Sequence, residues 1–102
     1  WRIAGASYLP ELRDRAPKTN AIALLQKLYY DTALSTSEFV FGALKEFVPT
    51  SQVLFGSDFP YIGSAILQAE KYGLENSKVW DEAAKAAIDR ENALALFPRF
   101  DR

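Results

Sequence analysis

A single carboxylate, Asp58, follows a segment typical of a buried strand and is the side chain best placed for chemistry. Three large apolar residues at positions 53–55 run without a polar break, which suits a strand buried on both faces. Small residues at 56–57 follow, and Pro60 cannot continue a central strand, so we predict that the strand ends near residue 57. Ligand sites of parallel sheets lie at the carboxyl ends of their strands. Asp58 is therefore a candidate for chemistry on a bound ligand.

The surroundings of Asp58 are aromatic, since Phe59 and Tyr61 follow it directly. An apolar and aromatic rim suits a planar substrate better than a sugar. The alternative is structural: Asp58 forms an Asx turn with the backbone ahead of Pro60, as aspartate often does before proline.

Histidine and cysteine are absent from the chain, which limits its chemistry. Without cysteine, neither disulfides nor thiolate metal sites can form. Hydrolytic metal sites normally take neutral imidazoles as ligands, and this sequence supplies none.

A second acid, Asp31, lies near the end of another strand candidate, residues 28–33. The starts of the two strands are 25 residues apart (53 − 28), which leaves room for one helical crossover. We therefore predict two parallel neighbouring strands, 28–33 and 53–57, with Asp31 and Asp58 towards the same edge. For Asp31 a structural hydrogen-bonding role is the favoured interpretation.

Helical patterns fill the remaining segments. Apolar residues at helical spacing predict a helix over 21–27 after a short one near Ser7. Ser35 with Glu38 three residues later predicts a capping box for a helix that runs to about residue 47. A further helix is predicted over 63–72, with Gly73 as its left-handed C-cap residue. Another helix is predicted to begin after a capping Ser77 and to include the Trp80 region, and a last short one is predicted after a capping Asn92. The tail after Pro98 is predicted to fray.

Composition excludes several classes of protein. The chain has 102 residues, enough for one small domain, and 12 basic against 13 acidic residues give a net charge of −1. No basic stripe is present, so we expect no nucleic acid partner. No apolar run is long enough to span a bilayer and no signal-peptide pattern is found, so we expect no membrane partner and a cytoplasmic location.

The first residue is Trp1, and methionine is absent from the whole chain. We therefore expect the chain to be the C-terminal piece of a longer protein; processing at the N-terminus is the alternative. Two strands make neither a barrel nor a full doubly wound sheet, because a (β/α)8 barrel takes about 200 residues or more.

Three segments together resemble the C-terminal part of amidohydrolase-related proteins, in the family's order and at plausible spacing. They are LYYDTA at 28–33, VLFGSDFP at 53–60 and NALALF at 92–97, of which GSDFP is the most specific. The family is the branch of metal-dependent (β/α)8 barrels that includes aminocarboxymuconate semialdehyde decarboxylase and aromatic-acid decarboxylases. The stretch AGASYLP at 4–10 also looks like the segment that follows the family's sixth strand.

The resemblance implies an α/β fold in which residues 28–33 and 53–57 are strands seven and eight of a (β/α)8 barrel. The barrel is incomplete in this chain, and residues 1–102 are the C-terminal fragment of that domain. It implies that Asp58 coordinates or adjoins a divalent metal, usually zinc, and takes part in proton transfer. It also implies that Phe59 and Tyr61 contact a small carboxylic acid substrate. The family's metal-binding histidines have no counterpart here, so the remaining ligands are absent from this chain.

Two functional hypotheses follow. The first is the C-terminal part of a metal-dependent carboxy-lyase, acting on an aromatic or enoic acid, or of a hydrolase; this chain alone is then expected to be inactive. The second is a non-catalytic chain that acts through association of its exposed barrel edges, with a partner or as a homo-oligomer.

Overall fold

The computed structural model describes residues 21–101. Short strands alternate with helices along this part of the chain, and the last helical segment contains one π-helical turn. In chain order the elements are α1 (Ala21–Leu25), β1 (Tyr30–Asp31), α2 (Glu38–Phe47), a 3-10 turn (Thr50–Gln52), β2 (Val53–Leu54), α3 (Ser64–Glu75), α4 (Glu82–Ala86), the π turn (Ala87–Glu91), α5 (Asn92–Leu96) and a 3-10 turn (Pro98–Phe100). The short helix predicted near Ser7 lies outside the described residues.

Strands β1 and β2 pair in parallel, as the sequence predicts. Tyr30 is opposite Val53 and Asp31 is opposite Leu54. Each strand has two residues, fewer than the predicted 28–33 and 53–57. Both therefore end towards the same edge, with helix α2 between them in the chain.

Helix α2 begins two residues later than the sequence predicts (37 − 35). Its N-cap is Ser37, whose side chain accepts a hydrogen bond from the Val40 N–H at 3.4 Å, so the capping box predicted at Ser35 is wrong. Glu38 instead accepts hydrogen bonds from the Ser77 hydroxyl at 3.2 Å and from the Lys78 N–H at 2.8 Å. A distant segment thus takes the carboxylate that a local capping box would have used.

Helix α3 continues past the predicted left-handed cap. Gly73 lies within the helix, and no glycine among the described residues has a positive φ, so the C-cap prediction is wrong. The glycine is needed for a different reason: a Cβ at this position would lie 2.5 Å from Oγ1 of Thr36. The helix ends at Glu75, and the N–H of its C-cap residue, Asn76, donates to the carbonyl of Tyr72.

The last helical segment also starts later than expected, because Asp81 and not Ser77 is its N-cap; the Asp81 side chain accepts from the Ala84 N–H at 2.8 Å. Trp80 precedes the helix and packs edge-to-face on Phe41 of α2, with ring centroids 6.0 Å apart. The predicted cap Asn92 is likewise not a cap.

Asn92 is buried at the start of α5, and its side-chain amide donates to the carbonyls of Thr50 and Val53, both at 2.8 Å. In the π turn before it, the carbonyl of Ile88 accepts a hydrogen bond from the Phe55 N–H at 2.8 Å. Two hydrogen-bonding groups of one helical segment therefore hold it against β2 and the residues beside that strand.

The core lies between α2, β2 and the later helices. Its buried apolar members are Phe41, Val48, Val53, Leu74, Trp80 and Ile88. Large apolar side chains also remain on the surface, among them Phe39, which is 91% exposed. Of the helices formed by residues 21–101, none combines the length and the apolar character needed to cross a membrane.

Candidate active site

The carboxyl ends of β1 and β2 place the predicted site residues in two groups. Asp31 ends β1, while Asp58, Phe59 and Tyr61 lie on the loop that follows β2. Because the two strands are parallel and in register, both groups belong to the same edge of the sheet. This is the edge at which parallel β/α folds bind ligands.

Asp58 adopts a left-handed backbone conformation, with φ of 58°. Aspartate tolerates this region better than most residues, although it still costs about 1 kcal/mol or more. The conformation belongs to a turn in which the Tyr61 N–H donates to the carbonyl of Asp58 at 2.9 Å. The side chain of Ser57, not that of Asp58, accepts from the Phe59 N–H at 3.4 Å. The turn is thus built without the Asp58 carboxylate, contrary to the Asx alternative.

The carboxylate of Asp58 is exposed and has no hydrogen-bond partner within residues 21–101. Sequence reasoning placed it at the tip of the strand, whereas β2 ends at Leu54 and Asp58 lies four residues further along (58 − 54), on the loop beyond the same edge. An exposed carboxylate without a structural partner is accessible to a ligand that binds at this edge of the sheet.

Asp31 has a structural role, as the sequence favoured. Its Oδ1 accepts a hydrogen bond from the Ala33 N–H at 2.8 Å, which closes a turn directly after β1. The same oxygen lies close to the backbone of Gly56, since a Cβ there would be 2.8 Å from it. Glycine is therefore the residue that lets the Asp31 carboxylate lie against the chain beyond β2.

Thr32 was not singled out by the sequence, yet the structure buries it completely at this edge. Its hydroxyl oxygen accepts a hydrogen bond from the Gly56 N–H at 3.3 Å. The sequence does contain a signal for this role, since a hydroxyl residue directly follows the last residue of a parallel strand. Backbone N–H and C=O groups at that point no longer have partners in the ladder, so a neighbouring hydroxyl can bond to them.

Phe59 and Tyr61 share the turn of Asp58 but project into solvent, with 72% and 87% of their surfaces exposed. Neither lines either of two cavities found among the described residues. One cavity, of about 390 Å³, lies between Phe55, α3 and α4 and carries both acidic and basic side chains. The other, of about 470 Å³, is an apolar groove along α2 lined by Leu25, Tyr30, Phe39, Val40, Ala43, Leu44 and Phe47.

The residues present do not by themselves fit a metal site. No group of three or more His, Cys, Asp or Glu side chains that could hold a metal ion occurs among residues 21–101. Zinc sites take at least three protein ligands, and the whole chain lacks histidine and cysteine. Asp58 could supply one carboxylate to such a site but cannot constitute it.

Parallel strands joined by a helix place the described residues in the α/β class of folds. Within that class the chain belongs to the amidohydrolase family: the family model described as Amidohydrolase matches residues 7–99. This confirms the family that the sequence motifs indicated.

Among curated proteins the chain is similar to fungal decarboxylases. It is 37% identical over 75 residues to the 6-methylsalicylic acid decarboxylase acuB of Aspergillus aculeatus, covering 72% of this chain and 23% of that protein. It is 43% identical over 72 residues to the 6-methylsalicylic acid decarboxylase of Penicillium expansum, covering 70% and 22%. It is 33% identical over 102 residues to the decarboxylase yanB of Aspergillus niger, covering 97% and 27%.

The chain thus spans about a quarter of the length of these curated relatives. No solved structure matches it.

Proposed function

We propose that this chain forms the C-terminal β/α units of a (β/α)8 decarboxylase that acts on an aromatic carboxylic acid. In this proposal β1 and β2 are the seventh and eighth strands of the barrel. Their parallel register supports it, as does the helix between them and the names of the decarboxylase relatives. The observation that carries the proposal is the unpaired carboxylate of Asp58 at the carboxyl edge.

The chemistry assigned to Asp58 is proton transfer to carbon. When the bond between the ring and the carboxylate breaks, carbon dioxide leaves and the electron pair stays on the ring carbon. That carbon must then be protonated, and the carboxyl proton of Asp58 forms the new C–H bond. Asp58 is left as a carboxylate, and its exposure to solvent allows water to return the proton.

Phe59 and Tyr61 would contact the substrate ring in this scheme. Both are aromatic, both lie within three residues of Asp58, and neither is used in the core. Offset or edge-to-face aromatic pairs contribute about 0.5–1.5 kcal/mol beyond their buried area, so these side chains can hold a planar acid close to Asp58.

The divalent metal implied by the family resemblance, usually zinc, would be adjacent to Asp58 and would take its other ligands from outside this chain. The described residues do not form that site, and the proton transfer described above involves only Asp58 and the substrate.

The test replaces Asp58 by asparagine in the complete polypeptide that carries this chain. The assay follows release of carbon dioxide from 6-methylsalicylic acid, and D2O solvent reports deuterium on the ring carbon that lost its carboxyl group. We expect kcat to fall by about 10²–10⁴ for Asp58→Asn, with substrate binding retained. The matched control is Asp89→Asn, which neutralises an exposed carboxylate on the π turn and should keep wild-type turnover. Unchanged turnover in Asp58→Asn would remove this residue from the mechanism.

A second candidate is a non-catalytic role in association, favoured by the apolar groove along α2. The groove is open and lined almost entirely by apolar side chains, and Phe39 at its rim is 91% exposed. Apolar surface of this kind marks interaction sites on soluble proteins. A polypeptide that associates through this groove but shows no decarboxylation of any aromatic acid would favour this candidate.

A further inference from the structure

The turn that presents Asp58 depends on how the chain leaves β2. Ladder pairing between the strands ends at Leu54, and the next two amides donate to different partners. The Phe55 N–H donates to the carbonyl of Ile88 in the π turn at 2.8 Å. The Gly56 N–H donates to the hydroxyl oxygen of Thr32 at 3.3 Å. Successive amides are thus held by the helix and then by the residue after β1.

Thr32 is suited to this task because its backbone N–H, its carbonyl and its hydroxyl oxygen are all used inside the protein. Its side chain is fully buried, its N–H donates to the carbonyl of Leu54 at 3.0 Å, and its carbonyl accepts from the Ser35 N–H at 2.9 Å. The backbone on both sides of its hydroxyl is therefore fixed. A buried hydroxyl held in this way gives the Gly56 amide one defined position.

The Asp31 carboxylate closes the remaining space beside Gly56. A Cβ at this glycine would lie 2.8 Å from Oδ1 and 3.0 Å from Cβ of Asp31, so the backbone of Gly56 already meets that side chain. Movement of the loop towards β1 is blocked by Asp31, and movement away breaks the hydrogen bond to Thr32.

We infer that Thr32 is a positioning residue, which acts through the Gly56 amide to set the place of the Asp58 carboxylate. The inference rests on the proposed function, since it gives Thr32 a role in the same reaction. Asp58 is two residues beyond Gly56, so a shift of that amide moves the left-handed backbone position from which the Asp58 side chain projects. Misplacement of a reacting group by about 1 Å can cost about 100-fold in rate.

The experiment compares Thr32→Val with Thr32→Ser in the complete polypeptide. Valine keeps the shape of threonine but has no oxygen, whereas serine keeps the oxygen and loses a buried methyl group. If the hydroxyl positions the loop, kcat on 6-methylsalicylic acid falls about 10- to 100-fold in Thr32→Val, while KM stays within about twofold of the wild-type value. Thr32→Ser then has the wild-type kcat, even if its melting temperature is lower. If the side chain serves only packing, Thr32→Ser is the more damaged variant. That result, or an unchanged kcat in Thr32→Val, overturns the inference.

A second measurement does not depend on turnover. Amide hydrogen exchange in the peptide that contains Gly56 should be about tenfold faster in Thr32→Val than in the wild type and unchanged in Thr32→Ser. Equal exchange in all three proteins overturns the inference whether or not the acid is a substrate.

The Asp58→Asn variant separates the two possible failures. If it retains turnover, the proton transfer proposed for Asp58 fails, and the inference about Thr32 that rests on it fails as well. If it is inactive while Thr32→Val keeps the wild-type kcat and exchange, the proposed function stands and the role of Thr32 alone is refuted.

Discussion

Replacing Asn92 by aspartate should destabilise the fold severely, because this side chain connects the last helical segment to the segment around β2. Its amide donates to the carbonyls of Thr50 and Val53, both at 2.8 Å, and the residue is 9% exposed. Aspartate has the same shape but, when ionised, no N–H to donate. The Val53 carbonyl would lose this partner, which costs about 1–3 kcal/mol, whereas the Thr50 carbonyl still accepts a hydrogen bond from the Val53 N–H; the negative charge that faces both oxygens adds to the loss. The whole margin of a small domain is about 5–15 kcal/mol.

The loss should depend on pH in a defined direction. In the folded protein a carboxylate at position 92 would face two carbonyl oxygens in a buried site, which raises its pKa above the unfolded value of about 3.9. The folded state then binds more protons than the unfolded state, so stability falls as pH rises above about 4. Below that pH the protonated acid can donate to one of the two carbonyls and recover part of the loss.

The assay is urea denaturation followed by circular dichroism at pH 7 and at pH 4, at one protein concentration. The matched control is Asn76→Asp, since the Asn76 amide donates to a single exposed carbonyl, that of Tyr72, at 3.0 Å. Its cost should stay below about 1 kcal/mol, most of it from a negative charge at a helix C-terminus. Equal urea midpoints for Asn92→Asp and wild type at pH 7 would refute the reasoning, and so would equal losses in the two variants.

Two further predictions concern packing and association. Gly73→Ala should lower the free energy of unfolding by about 1–3 kcal/mol, because the new Cβ would lie 2.5 Å from Oγ1 of Thr36. In the control variant Gly42→Ala the new Cβ meets no atom within 4 Å, so this substitution should stabilise α2 by roughly 0.5–1 kcal/mol. Urea midpoints that shift in the same direction for both variants would contradict this. Phe39→Ser should reduce self-association of the 102-residue chain in sedimentation velocity, because the Phe39 ring is 91% exposed at the rim of the apolar groove. The control is Tyr72→Ser, which should not change self-association, because the Tyr72 ring is 67% exposed but lies outside the groove. Equal sedimentation of the two variants would argue against the groove as the associating surface.

The parallel pair of strands could be predicted because its signals are local. Apolar runs, a proline that stops the second run and a spacing that accommodates one helix determine the order of elements. The strand lengths could not be predicted, since they depend on where the backbone finds other partners. Phe55 belongs to an apolar run, yet its N–H donates to Ile88 and leaves the ladder.

The errors at helix ends share one physical cause, which is that a polar or small residue can serve a distant contact as well as a local one. Glu38 bonds to Ser77 and Lys78 in place of a capping box, and Gly73 allows close approach to Thr36 in place of a left-handed cap. Sequence spacing describes the local option only, and tertiary contacts decided the outcome.

The candidate site was predicted in part. The neighbours of Asp58 in the sequence predict that it lies beyond the carboxyl edge of β2, although the strand ends at Leu54 and not near residue 57. The structural role of Asp31 was the favoured interpretation. The contribution of Thr32 required the structure, because its partner Gly56 is 24 residues away and is brought close only by parallel pairing. The assignments of Phe59 and Tyr61 to substrate contact stay predictions.

The π turn sets how far the last helical segment can change in length. It separates the Ile88 carbonyl, which accepts from Phe55, from the Asn92 amide, which donates to Thr50 and Val53, by a turn that holds one residue more than an α turn. Deleting one residue between 88 and 92 would convert this turn to α-helical geometry with little rotation of the later side chains. A second deletion would rotate every later side chain by about 100° and direct position 92 away from the carbonyls to which it now donates. A protein engineer shortening this chain could therefore remove one residue between 88 and 92 but not two, although nothing in their composition sets these residues apart from an ordinary helix.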